Sequence, residues 1–147
     1  MNRNPFVVAC LLALMSSFFV RSGLAAPQTE QVKLDGHQFT VEIANNNAKR
    51  EHGLMFRVHM AADHGMLFVY SGAQPRAFWM KNTLIPLDII FFDARKRLIN
   101  VSADTPPCKT PECPSYMSSA PAQYVLELNA GMAAKLGLKP GDRFTVR

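Results

Sequence analysis

Apolar and polar residues alternate from Val32 to Ile43: Val32 and Leu34 precede Asp35-Gly36, and Phe39, Val41 and Ile43 interleave with Gln38, Thr40 and Glu42. A period of two marks a strand with one face in a core, and Asp-Gly accepts the positive φ of a tight turn, so residues 31–44 predict a hairpin. Shorter continuous apolar runs follow at 66–70, 76–80 and 87–92, the last joined through Asp93-Ala94-Arg95-Lys96 to 98–103. Further strands are predicted at 124–128 and 143–146. Asn45-Asn46-Asn47 offers N-caps for a short helix over 48–52 ended by Gly53, and a second short helix is predicted over 130–136. Leu54-Met55-Phe56 is expected to dock on the core, and Asp104 to Ser119 reads as a long Pro-rich loop. The only Trp, Trp79, and the Phe91-Phe92 pair carry so much apolar surface that both of their runs are expected to be central core strands. Strands dominate without a regular βαβ alternation. The fold class is therefore mainly β (α+β): a compact curled sheet or small barrel of antiparallel or mixed strands with two short helices.

The chain begins differently. Residues 5–20 are uncharged and mostly apolar, Arg21 breaks the run, and Ser22-Gly23-Leu24-Ala25-Ala26-Pro27 supplies small residues at cleavage-compatible positions. That is the form of a signal peptide over residues 1–26, with an uncleaved anchor as the alternative. Residues 27–147 then form a single domain exported to the periplasm or extracellular space, with no stable membrane insertion after cleavage. Arg3 and Arg21 fall in the leader, so the net charge drops from +5 to +3. Arg95-Lys96-Arg97 is the only cationic cluster and falls at a predicted turn, so no nucleic-acid partner is implied. Of three cysteines, Cys10 lies in the leader. Cys108 and Cys113, an even pair in an exported chain, are read as a disulfide, against a redox or metal pair with four intervening residues.

Five strings occur in order: Gly53-Leu54-Met55-Phe56-Arg57, Gly65-Met66-Leu67-Phe68, Phe78-Trp79-Met80-Lys81-Asn82-Thr83, Pro86-Leu87-Asp88-Ile89-Ile90-Phe91 and Val125-Leu126-Glu127-Leu128-Asn129-Ala130-Gly131. Together they resemble the domain-of-unknown-function 192 family over roughly residues 32–146. The resemblance implies a compact, mainly β domain, often exported, and no established activity.

Lys81-Asn82-Thr83 places an ammonium, an amide and a hydroxyl beside Trp79, a set suited to stacking and hydrogen-bonding a sugar or another small polar ligand. The alternative is that Asn82 and Thr83 satisfy the backbone of a turn. Asp88 and Glu127 are acids embedded in apolar strands. They need partners, for which Arg57 and Lys81 are the candidates, or they neutralise. Trp79, Lys81, Asn82, Asp88 and Glu127 thus define an expected polar recess, with Arg57 and Tyr116 as additions. The functional expectation is a non-enzymatic binding or accessory module of the cell envelope, acting on a small polar ligand or envelope component without a cofactor. Two alternatives are a glycan hydrolase using Asp88 and Glu127 as its acid pair, and a copper site from His52, Met55, His59, Met60, His64 and Met66. No serine nucleophile motif and no Gly-rich phosphate loop is present.

Overall fold

A computed structural model describes residues 27–147; the expected signal peptide over residues 1–26 lies outside the described residues. The hairpin forms as its pattern dictates. β1 (Thr29–Leu34) and β2 (His37–Ala44) pair antiparallel around Asp35-Gly36, both at positive φ. α1 (Asn47–His52) starts where the Asn46 side chain accepts the Lys49 N–H and stops at Gly53, whose φ is 50°. β3 (His64–Gln74) returns parallel to β2, the one parallel pairing of the main sheet.

β4 (Ala77–Trp79), β5 (Leu87–Phe92), β6 (Leu98–Thr105), β7 (Ser115–Met117), β8 (Ala122–Asn129), α2 (Met132–Leu136) and β9 (Phe144–Val146) complete the domain. The main sheet has seven strands in the order β6-β5-β8-β3-β2-β1-β9. It curls until its two edges touch at one end: Leu98 donates its N–H to the Asp142 carbonyl at 2.7 Å and Gly141 donates to the Leu98 carbonyl at 2.9 Å. The expected curled sheet is therefore present, with mixed strand directions.

The two faces of the sheet have separate cores. Inside the curl, Phe144 from one edge strand meets the Phe92 ring, 4.8 Å away, above Val41, Leu67, Ile90, Leu126 and Leu128. On the opposite face Phe68, Ile89, Phe91 and Val125 are covered by Leu54, Met80 and Phe78. Phe78 stands edge-on to Phe68 and Phe91, with ring centroids 4.9 and 5.9 Å away. Gly65 is required by the close approach of β3 to β8, since a Cβ there would lie 2.5 Å from the Glu127 carbonyl oxygen.

Three expectations need correction. Leu87–Phe92 is a central strand with all six residues buried, but the Trp79 run is not. β4 leaves the sheet to form a two-stranded ribbon with β7, which itself lies inside the stretch expected to be loop. Only Phe78 of that ribbon strand turns to the core, and Trp79 is 52% exposed. Aromatic mass alone did not separate a core strand from a ribbon folded over the core. Leu54 docks as expected, whereas Phe56, at a φ of 62°, points outward and is exposed.

Candidate functional site

β8 runs between β5 and β3, and its period of two decides where each acid goes. Glu127 pairs opposite Ile89 and Asp88 opposite Leu128, so the two carboxyl groups lie on opposite faces of the sheet. They cannot flank one glycosidic bond, and the acid-pair hydrolase reading falls with that geometry.

Asp88 faces the inside of the curl and is fully buried. One carboxylate oxygen accepts the Asp104 N–H at 2.8 Å, within the bulge of β6, and the other accepts the Ala133 N–H at 2.7 Å, in the first turn of α2. Both donors are backbone N–H groups, and together they satisfy both oxygens of a buried acid. Asp88 is a structural tie between β5, β6 and α2, and takes no part in a recess.

Glu127 faces the other way and has no such partners. Its side chain is nearly buried and, among the described residues, has no cation within 4 Å; since no fully sealed side-chain oxygen is left without a partner, its unbonded carboxyl oxygens open onto the cavity they line. Burial alone pushes its carboxyl from an ordinary 4.5 up to about 8, so at neutral pH it is a neutral acid. It forms the floor of a cavity of about 40 Å³ walled by Gly53, Leu54, Phe68 and Phe78, with Trp79, Lys81, Thr83, Arg50, Glu51 and His52 around it. That space holds only a few water-sized groups, so it can take the polar end of a ligand and no more.

The rim is built by two local devices. At the end of β4, Asn82 adopts a φ of 57° and Thr83 donates its N–H to the Met80 carbonyl at 3.1 Å, turning the chain so that Lys81 and Thr83 line the cavity. The Lys81 ammonium lies 5.3 Å from the centre of the Trp79 ring. Behind it, Cys108 donates its N–H to the Met80 carbonyl at 3.2 Å, and Cys108 and Cys113 form a disulfide with Cα atoms 5.8 Å apart. The expected disulfide thus pins the loop that backs the rim. The other wall comes from α1 and Gly53.

Of the expected site residues, the structure brings Trp79, Lys81 and Glu127 together. Asn82 is exposed and serves the turn: its carbonyl accepts the Phe56 N–H at 2.8 Å. Arg57 serves neither acid but pairs with Glu42 at 2.6 Å. Tyr116 sits opposite Phe78 in the ribbon and packs on the core beneath it, away from the cavity. The His/Met set does not gather as one: His52, Met55 and Met66 line one concavity, apart from His59 and His64. Met60 and Met66 are buried in the apolar core and His64 pairs with Asp63, and among the described residues no three His, Cys, Asp or Glu side chains stand where they could share a metal. Arg50, Gly53 and Phe78 were not expected as wall residues, because neither the crossover that carries α1 and Gly53 nor the β4–β7 ribbon that carries Phe78 leaves a periodic mark in the chain.

Fold and site together define a small, mainly β domain whose curled sheet carries a narrow polar recess on its outer face. The family model of DUF192, described as "Uncharacterized ACR", matches residues 30–146, and the chain belongs to that family. Two solved structures are similar to it. One, from Sinorhizobium meliloti 1021 and described as a candidate transcription regulator, is 39% identical with a TM-score of 0.76, covering 84% of this chain and 98% of its own. Another, a protein of unknown function from Novosphingobium aromaticivorans, is 36% identical with a TM-score of 0.72, covering 83% and 94%. No curated protein matches the chain significantly.

Proposed function

We propose that the domain is an exported, non-enzymatic binding or accessory module of the cell envelope that holds a hydroxyl-bearing ligand, of saccharide type, at the Glu127 recess. The observation that carries this reading is Glu127 itself, a nearly buried residue whose carboxyl opens onto a small cavity and is without an ion-pair partner among the described residues. A neutral carboxyl offers one donor and one acceptor side by side, which is the complement of a hydroxyl group. The exposed face of Trp79 at the rim supplies a stacking surface for the body of a ring too large to enter. Export is supported by the leader-like residues 1–26 and by the Cys108–Cys113 bond, which persists in an oxidising compartment. The candidate regulator name of the Sinorhizobium relative brings no DNA reading here. The cluster Arg95-Lys96-Arg97 is spent on a turn in which Asp93 accepts both the Arg95 and Arg97 N–H groups and pairs with the Arg97 guanidinium.

The test is a thermal-shift screen of the purified protein against envelope saccharides and small polyols. A ligand of the native state raises the melting temperature by mass action. The expected result is a hit abolished by Trp79→Ala and by Glu127→Leu; hits that survive both changes would sink the proposal. Recovery of the processed protein with Pro27 at its N-terminus from the periplasmic or culture fraction checks the export half, and retention in the cytosol contradicts it.

A further inference from the structure

A second concavity, of about 350 Å³, adjoins the Glu127 recess and shares Arg50 with it. Two guanidiniums are gathered there around one ring: Arg50 lies 4.9 Å and Arg76 3.6 Å from the centre of Tyr70. Each is held by neutral acceptors. Arg50 donates to the Val69 carbonyl at 2.9 Å and to Asn47 Oδ1 at 2.6 Å, and Arg76 donates to the Ala122 carbonyl at 3.2 Å and the Gly72 carbonyl at 2.7 Å. Among the described residues neither has a carboxylate within 4 Å, although Arg57 and Arg97 both do. The rest of the lining is uncharged and hydrogen-bonding, with Asn47, Ser71 and Gln74. Bringing two like charges together costs repulsion, and among the described residues no carboxylate in ion-pairing contact offsets it, the nearest acids of the shared wall being Glu51 and Glu127. Rigid forks with unused N–H groups facing open space are the arrangement that receives a planar or tetrahedral oxyanion. Burial, with a smaller contribution from the Glu127 carboxyl, raises the Tyr70 phenol above its ordinary range against the opposing pull of Arg76 and Arg50, so it remains a neutral hydroxyl.

We infer that Arg50 and Arg76, braced on Tyr70, form a binding site for an oxyanion, a phosphoryl or carboxylate group of a small ligand. The site stands on residues outside the saccharide reading, apart from Arg50 at the shared wall. The test is a titration of the purified protein with inorganic phosphate and, separately, acetate at low ionic strength, following the Arg Nε–H signals by NMR. Saturable shifts of the Arg50 and Arg76 signals are expected, and whichever anion saturates at lower concentration identifies the group. Arg76→Lys keeps the charge but loses the fork, and should weaken binding by about tenfold. Asn47→Asp is the decisive variant, because it truncates nothing and places an internal carboxylate where Arg50 already bonds Asn47. It should leave the fold intact and weaken anion binding by about tenfold or more. Glu127→Gln should leave phosphate binding unchanged, which separates this site from the neighbouring recess. Shifts that do not saturate, or that spread equally to Arg95 and Arg97, would overturn the assignment, as would an Asn47→Asp protein that binds phosphate as the wild type does.

Discussion

Replacing Glu127 by Gln removes an ionisation while keeping shape and hydrogen-bonding capacity, and its effect should depend steeply on pH. The carboxyl has an ordinary value of 4.5 when solvated and about 8 in the folded protein, because burial disfavours its charged form. Between those values the folded protein holds a proton that the unfolded chain has released. Stability from this group is thus fully present below 4.5 and is lost as pH rises toward 8. The slope is about 1.4 kcal/mol per pH unit, which integrates to roughly 5 kcal/mol across the window. Arg50, Lys81, His52 and Glu51 face the same cavity, but none is within ion-pairing distance of the carboxyl, and all remain in the variant. Urea denaturation of both proteins from pH 4 to 9 isolates the term as a difference. The two curves should converge near pH 4, with Glu127→Gln pulling ahead until the gap levels off above pH 8. Parallel curves would mean that Glu127 ionises alike in both states and that its burial imposes no shift.

Other substitutions separate scaffold from site. Asp88→Ala leaves the Ala133 N–H without its acceptor in a buried place and should cost about 3 kcal/mol in denaturant titration, with no effect on ligand hits in any protein that still folds. Gly65→Ala forces a Cβ against the β8 backbone and should cost roughly 1–3 kcal/mol, read as a lowered melting temperature. Trp79→Ala removes a half-exposed ring, so its stability change should stay within about 1 kcal/mol while binding at the recess is lost. Reducing Cys108–Cys113 opens a short loop and should lower stability by about 2 kcal/mol, measured as a shift in urea midpoint with and without reductant.

Much of the fold was legible because period-two alternation and turn chemistry are local. The Asp35-Gly36 hairpin, the Asn46 cap of α1 and the buried strand at Leu87–Phe92 follow from residues adjacent in the chain. The same count put Asp88 on the face of Ile90 and Glu127 on that of Val125. What it could not supply was the register between β5 and β8, which sets the two acids back to back. Trp79 was misplaced for a related reason: a ribbon folded over a core and a strand within it have the same composition, and only the non-local pairing with β7 distinguishes them. Arg50 and Arg76 carried no sequence signal as a pair, since they are 26 positions apart in the chain and meet only at Tyr70.

The measurement that goes most directly to the recess is an NMR titration of the Glu127 side-chain carboxyl carbon, assigned by its loss in Glu127→Gln. A midpoint of about 8 is expected, rising further when a hydroxyl-bearing ligand saturates the site and holds the neutral form. A midpoint near 4.5 would mean that the carboxyl is solvated or paired, and the buried, uncharged floor on which the binding proposal rests would not exist.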